Sequence, residues 1–241
     1  IEIINLELAL SDIELAQRRA DKAQKLAKAD KKYLAEAELF DRLREHLDSG
    51  RQARSFEASD AEAELLDSCP LLSRKPVLYC CNLGEDEFAD RESNEHFLEV
   101  RRIAEGEGAL AIPVCAKWEE EIASLDEEER LQFLAELGLE ESGLDRLVQA
   151  GYSLLGLISF LTAGEPEVRA WTITAGTKAP EAAGKIHSDI QRGFIRAETI
   201  AYEDYVAGNG EAGAREAGRF RVEGKGYEVQ DGDVLHFLFN V

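Results

Sequence analysis

Methionine is missing from all 241 residues of the chain, which begins with Ile1. We therefore expect the first residue to lie inside a longer protein. No apolar run reaches the roughly 18 to 20 residues that a membrane-spanning helix needs. The first residues also show no signal-peptide pattern. These absences predict a cytoplasmic protein without a membrane partner.

Cysteine and positive charge are also scarce. The formal net charge is −21, which argues against a generally basic nucleic-acid-binding protein. No histidine accompanies the carboxylates at ligand spacing, so no metal site is predicted within this sequence, and His46 is expected at the surface. The cysteines show no C-x-x-C spacing, which favours reduced thiols. They are Cys69, Cys80, Cys81 and Cys115.

Two short apolar runs end abruptly in polar residues. Val77–Cys81 is followed by Asn82 and Glu85, and residues 109–115 lead into Lys117. The first run predicts a fully buried strand of a parallel sheet, and an amphipathic helix is expected between the two runs. The segments form a predicted βαβ unit with strand ends about 30 residues apart. Ligands bind at such strand ends in open α/β sheets.

The two strand ends resemble the base-reading motifs of P-loop GTPases, Asn-Lys-x-Asp and Ser-Ala-Lys. Here they are Asn82-Leu83-Gly84-Glu85 and Cys115-Ala116-Lys117. Glutamate is one methylene longer than aspartate, so strict guanine selectivity is not predicted and adenine is open as a ligand. An ordinary polar strand end is the alternative interpretation of either motif alone.

A long helical segment without Pro or Gly extends from Ser11 to Asp48. It is rich in good helix formers, and we expect two antiparallel helices with a turn near Ala29–Asp30. Ser11 is the expected N-cap, and Gly50 the expected end of the second helix. Residues 1–10 are expected to be the tail of a strand-and-turn region.

Basic residues are concentrated in this segment. Residues 18–32 hold seven basic and two acidic side chains, a local excess of positive charge in an acidic chain. Either this is a solvated helix face, or it contacts the phosphates of RNA or of a ribosome. The basic residues are Arg18, Arg19, Lys22, Lys25, Lys28, Lys31 and Lys32.

Helices are predicted between the βαβ unit and residue 157. Residues 118–122 and 127–137 are acidic, and Gly143–Leu157 follows with Ser142 as its expected N-cap. The apolar residues of this last helix are expected on its buried side. They are Leu144, Leu147, Val148, Leu154 and Leu155.

The remainder of the chain changes to a pattern of short strands and turns. Hairpin, helix and further strands follow in the order of a β-grasp, ubiquitin-like fold. The predicted strands are 158–161, 168–173, 194–200, 219–222, 227–230 and 234–240, with a turn at 163–166 and a helix over 182–190.

Longer motifs cover essentially the whole chain and resemble the YchF family of Obg-related P-loop NTPases. The strongest motifs are in the C-terminal part. They are Thr162–Gly164, Glu167–Ile173, Ala182–His187, Arg192–Ala197, Gly210–Ala214, Glu216–Gly218 and Gln230–Val234 with His236-Phe237, and Asn5–Asp12 and Leu137–Arg146 fit the same family.

This resemblance implies an α/β fold. It comprises a partial, Rossmann-like P-loop NTPase G domain with an inserted helical coiled-coil arm, and a C-terminal TGS domain of β-grasp type. The implied division is 1–11 for the end of the N-terminal G-domain portion, 12–68 for the arm and connector, 69–156 for the C-terminal part of the G domain, and 157–241 for the TGS domain.

The resemblance also implies a function. Members hydrolyse ATP, often in preference to GTP, and associate with ribosomes. By this resemblance Asn82 and Leu83 contact the purine, Glu85 completes the motif, and Cys115–Lys117 close over the base. Lys185, Arg192 and Arg196 flank the TGS helix and contact either RNA or only solvent.

The phosphate-binding motif of the family is not in these residues. No G-x-x-x-x-G-K-[ST] occurs, nor an Asp-x-x-Gly at a strand end. Phosphoryl transfer depends on these groups and on Mg²⁺, so we expect its catalytic residues and metal ligands to precede Ile1. The intact protein is then expected to hydrolyse ATP or GTP and to regulate translation or the stress response. An RNA- or ribosome-binding adaptor, for which nucleotide is only a conformational ligand, is the alternative, and the oligomeric state is open.

Overall fold

The computed structural model describes residues 1–164 and 167–240. The chain forms two compact units, Ile1–Val77 and Leu78–Val241. The predicted turn at 163–166 falls partly on Glu165 and Pro166, which lie outside the described residues. The first unit contains helices α1 (Glu2–Ala27), α2 (Leu34–Asp48) and α3 (Asp60–Asp67), with 3-10 helices at Lys31–Tyr33 and Ala53–Ser55.

The first unit is built on the packing of α1 against α2. The buried positions of α1 recur every three or four residues, as expected for one face of a helix, and all but Asp12 are alanine. These small side chains leave room for larger ones from α2. The turn between the helices lies where it was predicted, and Asp30 caps the 3-10 helix by accepting a 3.1 Å hydrogen bond from Lys32 N. The buried side chains of α2 include Leu39, Phe40, Leu43 and Leu47.

The strand-and-turn prediction for residues 1–10 is wrong, because α1 begins at Glu2. Ser11 accordingly lies inside the helix and is not an N-cap. Ala9 already belongs to the buried face of α1, so the packing against the rest of the unit extends through these turns. Helix α1 continues unbroken past residue 11. The domain boundary between residues 11 and 12 stays a prediction.

His46 is buried, with 8% of its surface exposed, although a surface position was predicted. Its Nε2 lies 3.1 Å from the carbonyl oxygen of Gln52 and 3.0 Å from Ser55 Oγ. The Phe56 ring packs edge-on against the imidazole at 5.4 Å. The segment after α2 therefore folds back over this histidine, a tertiary contact that helix periodicity does not reveal.

The second unit begins with the predicted βαβ arrangement, which is confirmed. Strands β1 and β2 pair in parallel, from Leu78 opposite Leu110 to Asn82 opposite Val114. Full burial of β1 was expected but is wrong, because Cys80 is exposed. Within the described residues β1 has a neighbouring strand on one side only. The elements are β1 (Leu78–Asn82), α4 (Glu85–Ala89), α5 (Glu95–Glu107), β2 (Leu110–Val114), α6 (Ala116–Ser124), α7 (Glu127–Glu136) and α8 (Gly143–Leu154).

The predicted burial of the α8 side chains is also wrong in part. Leu144, Val148 and Leu155 are 59%, 50% and 58% exposed. The helix packs against β1 and β2, and these three side chains lie away from that contact. Ser142 is its N-cap, as predicted, with Asp145 N donating to Ser142 Oγ at 3.0 Å. The helix ends at Leu154, three residues earlier than expected.

A five-stranded mixed sheet follows, with strand order β4-β3-β7-β5-β6. The strands β3 and β7 are parallel, and the other neighbours are antiparallel. Its core includes Phe160, Ile173, Ala183, Leu235 and Phe237. The elements are β3 (Leu157–Ala163), β4 (Val168–Thr174), α9 (Ala179–Ile186), α10 (Ser188–Arg192), β5 (Phe194–Ala201), α11 (Tyr202–Ala207), α12 (Glu211–Glu216), β6 (Arg221–Glu223) and β7 (Asp233–Phe239).

Two predicted elements of this region differ from the structure. Residues 227–230 do not form a strand beside 219–222. They pair instead with the segment leading into α9, through Val229 N to Thr177 O at 3.0 Å and Ala179 N to Tyr227 O at 2.9 Å. The helix predicted over 182–190 is divided in two, because His187 adopts an extended conformation and caps α10.

Candidate nucleotide-binding site

The carboxyl ends of β1 and β2 bring the two predicted motifs together. Asn82 Oδ1 accepts a hydrogen bond of 3.1 Å from the backbone N–H of Ala116. Leu83 N donates to Val114 O at 2.9 Å, which continues the pairing one residue beyond the strand. The amide of Asn82 is thus held across the two strand ends, with its Nδ2 donors available to a ligand. A contact of these residues with a purine stays a prediction.

Glu85 lies beside this asparagine at the start of α4, and both of its carboxylate oxygens are engaged. Lys117 Nζ donates to Oε2 at 2.7 Å, and Trp118 Nε1 donates to Oε1 at 3.1 Å. The hydrogen bond from Lys117 is the main cause that lowers the pKa of Glu85, and the same bond raises the pKa of Lys117. At neutral pH the pair therefore presents a carboxylate acceptor beside an ammonium donor.

Trp118, which donates to Glu85, also makes an aromatic contact. The Trp118 ring meets Phe88 edge-on, with centroids 5.1 Å apart. Phe88 is almost completely buried, and the guanidinium groups of Arg91 and Arg146 lie over its ring at 4.8 and 5.7 Å. Arg146 also donates to the carbonyl oxygen of Pro113 at 3.1 Å, close to the end of β2. Sequence reasoning did not assign Trp118 or Phe88 to the site, although the position of Trp118 directly after Lys117 was a usable signal.

The second motif is divided between buried and exposed residues. Cys115 is buried, whereas Ala116 and Lys117 are exposed on the first turn of α6. Glu119, in the same first turn of α6, accepts hydrogen bonds from Gly143 N at 2.8 Å and Leu144 N at 3.1 Å. It therefore attaches α6 to the first turn of α8, a role that the sequence analysis missed.

The predicted RNA-contacting residues lie on separate elements. Arg18 pairs with Glu14 at 3.6 Å inside α1, and Lys32, in the 3-10 helix after α1, pairs with Asp30 at 3.0 Å. Among the described residues, the other five basic side chains of that segment have no ion-pair partner. In the C-terminal region the three candidates are exposed, and Arg192 pairs with Asp189 at 2.6 Å. They are Lys185 on α9, Arg192 on α10 and Arg196 on β5.

In residues 1–164 and 167–240, no group of three or more His, Cys, Asp or Glu side chains could hold a metal ion. None of the helices described there combines the length and apolarity that crossing a bilayer requires.

The fold and these strand ends define an α/β protein with a candidate nucleotide-base site. The family model YchF-GTPase_C, whose description is a protein of unknown function (DUF933), matches residues 157–240. The chain is 55% identical over 242 residues to the ribosome-binding ATPase YchF of Bacillus subtilis (strain 168) and 48% identical to that of Escherichia coli O157:H7. It belongs to the YchF family. The alignments cover 100% of this chain but 66% of each relative, so the chain spans slightly less than two thirds of their length.

Two solved structures have a similar fold. The YchF GTPase of Schizosaccharomyces pombe superposes with a TM-score of 0.87 at 31% identity, covering 98% of this chain and 64% of that one. A GTP-binding protein from Pyrococcus horikoshii OT3 superposes with a TM-score of 0.59 at 20% identity, covering 100% of this chain and 71% of that one, and shares the fold.

Proposed function

We propose that this chain supplies the base-recognition site, the arm and the C-terminal domain of a ribosome-associated protein that hydrolyses ATP or GTP. The observation that carries the proposal is the convergence of Asn82, Glu85 and Lys117 at two adjacent strand ends. The relatives named ribosome-binding ATPases support the reaction and the partner. Regulation of translation or of the stress response, in the cytoplasm, is the corresponding cellular role.

Purine recognition is proposed to follow from the hydrogen-bonding character of the site. The Asn82 amide, held through its oxygen, offers N–H donors to an acceptor on the base. The Glu85 carboxylate accepts from N–H groups, such as the 6-amino group of adenine. Leu83 is half-buried beside them, and Cys115–Lys117 close over the base. Lys117 adds a donor next to the carboxylate.

The phosphate chemistry is assigned to a part of the protein outside this sequence. Mg²⁺ bound with ATP or GTP neutralises the charge that develops on the transferred phosphoryl group. We assign no catalytic residue and no Mg²⁺ ligand among these residues, and we expect them to be inactive alone.

The domain assignments are part of the same proposal. The packed α1–α2 pair supports a coiled-coil arm with its connector over 12–68, after an N-terminal G-domain portion at 1–11. The parallel β1–β2 unit supports a G-domain part over 69–156. The mixed sheet order supports a β-grasp TGS domain over 157–241.

The nucleotide proposal is tested on the full-length protein by measuring ATP affinity for Asn82→Ala and Glu85→Ala. Each variant removes one half of the base contact, so we expect ATP affinity to fall by about tenfold or more. Asp86→Ala is the matched control, because Asp86 is an exposed neighbouring acid on α4. Unchanged affinity in both site variants would contradict base recognition at these strand ends.

The adaptor alternative is favoured by the basic side chains of the arm that have no ion-pair partner among the described residues. Reversing the charge of Lys22, Lys25, Lys28 and Lys31 to Glu should abolish most ribosome or RNA binding and flatten its salt dependence. Lys178 and Lys225 lie outside the arm, and their reversal changes the net charge by the same amount as reversing Lys22 and Lys25 alone, so it is the net-charge control for that two-residue variant. Binding with an unchanged salt slope after the arm reversal would exclude this surface.

A further inference from the structure

The base site contains a residue to which the family resemblance gives no role. Trp118 donates its indole N–H to one oxygen of Glu85 at 3.1 Å, while Lys117 occupies the other oxygen at 2.7 Å. Both donors come from consecutive positions on α6, and the acceptor comes from α4. The Glu85 side chain is 44% exposed, so packing alone does not fix its orientation.

Trp118 is held more firmly than either of the charged residues. Its ring is half-buried and contacts Phe88, a residue of α4 that is 2% exposed and has the guanidinium groups of Arg91 and Arg146 over its ring. A long, exposed glutamate otherwise samples several rotamers at little cost in free energy. The Trp118 indole is held in place by its contact with Phe88. Its hydrogen bond to Glu85 therefore restricts the orientation of the carboxylate.

We propose that Trp118 is a positioning residue of the purine site, which fixes the Glu85 carboxylate so that its remaining lone pairs meet an N–H donor of the base. This inference rests on the proposed nucleotide-binding function. A carboxylate has about four acceptor positions, and Lys117 and Trp118 use two of them. The ligand class is a purine with an N–H donor on the edge facing Glu85, as in the 6-amino group of adenine or the N1–H and 2-amino groups of guanine.

The competing explanation is that Trp118 only attaches α6 to α4 through its packing against Phe88. Trp118→Phe separates the two roles, because it keeps an aromatic ring against Phe88 and removes only the N–H donor. Trp171→Phe is the matched control. Trp171 is the other tryptophan, and its indole donates to Thr162 Oγ1 at 2.9 Å in the five-stranded sheet.

The first measurement uses the 241-residue chain and its two indole N–H signals in a ¹H–¹⁵N correlation spectrum. Glu85→Ala should shift the Trp118 signal and leave the Trp171 signal in place. Acidification should move the Trp118 signal as Glu85 becomes protonated, and this should occur below the ordinary glutamate range, because Lys117 lowers the pKa of Glu85. A Trp118 signal that responds to neither change overturns the inference.

The second measurement compares ATP with purine riboside triphosphate, which lacks the 6-amino donor, on the full-length protein. Trp118→Phe should weaken ATP binding by about three- to tenfold, the equivalent of one hydrogen bond, and leave the analogue unaffected. An equal loss for both nucleotides assigns Trp118 a packing role and overturns the inference, while the proposed function stands. If the unaltered protein binds neither nucleotide, both proposals fail.

Discussion

Asp12 on α1 and Ser73, sixty-one positions along the chain, are joined through one carboxylate oxygen. Asp12 Oδ2 accepts from Ser73 N at 2.7 Å and from Ser73 Oγ at 2.6 Å, and Oδ1 accepts from Leu72 N at 2.8 Å. Asp12 is only 1% exposed and Ser73 is fully buried, so the two Ser73 donors have no access to water as a substitute. The loop after α3 is therefore attached to α1 by a buried carboxyl side chain.

Asp12→Ala should destabilise the first unit by about 2 to 4 kcal/mol, because it leaves buried donors without an acceptor. The measurement is urea unfolding followed by the helical circular dichroism signal. Ser11→Ala, at the exposed neighbouring position, is the control and should change the free energy of unfolding by no more than about 0.5 kcal/mol. A loss in the Asp12 variant no larger than in this control would contradict the role of the carboxylate.

A second buried network should give the C-terminal region a sensitivity to alkaline pH. Tyr227 donates to Asp233 Oδ2 at 2.6 Å, and burial is the first cause that raises the pKa of Tyr227 to about 12. Because this folded-state value lies above the unfolded value of about 10, the contribution of Tyr227 to stability is complete below pH 10. It should be lost as the pH rises from about 10 to about 12.

Unfolding followed by Trp171 fluorescence between pH 8 and pH 12, in a Trp118→Phe background that leaves Trp171 as the sole tryptophan of the sequence, tests this dependence. Tyr227→Phe should be less stable than the unaltered chain at pH 8 and should lose less stability between pH 10 and pH 12. Tyr202, which is exposed, supplies the control Tyr202→Phe. Parallel pH profiles for the unaltered chain and Tyr227→Phe would show that this hydroxyl is not responsible.

Helix α8 contains two glycines with opposite expected effects, Gly143 in its first turn and Gly151 further along. A Cβ on Gly143 would lie 2.8 Å from Glu119 Oε1 and displace the carboxylate that accepts from Gly143 N and Leu144 N. Gly143→Ala should therefore cost about 1 kcal/mol, the value of a helix cap. Gly151→Ala, inside the same helix with open space around it, should stabilise by about 0.5 to 1 kcal/mol.

A double-mutant cycle separates this capping effect from a general intolerance of larger side chains. In the background of Glu119→Ala the carboxylate is already absent, so Gly143→Ala should lose most of its cost. Chemical unfolding of the four proteins gives the coupling free energy. Additive changes in that cycle would mean that Gly143 and Glu119 act independently.

Sequence patterns correctly predicted the features that depend only on residues close together along the chain. The polar ends of β1 and β2, the turn at Ala29–Asp30 and the Ser142 cap follow from residue order, and the structure contains them. The contact of Trp118 with Glu85 could not be predicted in this way, because it depends on how α4 and α6 are placed by the sheet. The exposure of apolar side chains on α8 could not be predicted for the same reason. An apolar residue indicates a preference for burial, but not whether another element of the fold packs against it.

The length of the acidic side chain at position 85 leads to the last prediction. Glu85→Asp shortens the side chain by one methylene, so its carboxylate cannot keep both the 2.7 Å bond to Lys117 and the 3.1 Å bond to Trp118 unless α4, α6 or the exposed Lys117 side chain moves. We expect the Trp118 indole signal to shift, and the ratio of ATP affinity to GTP affinity of the full-length protein to fall by about threefold or more, the value of part of one hydrogen bond. Competition binding of the two nucleotides measures this ratio. Asp86→Glu adds the same methylene at the neighbouring exposed position and should leave both observations unchanged. An unaltered ratio together with a shifted indole signal would mean that the position of the Glu85 carboxylate does not decide between the two bases.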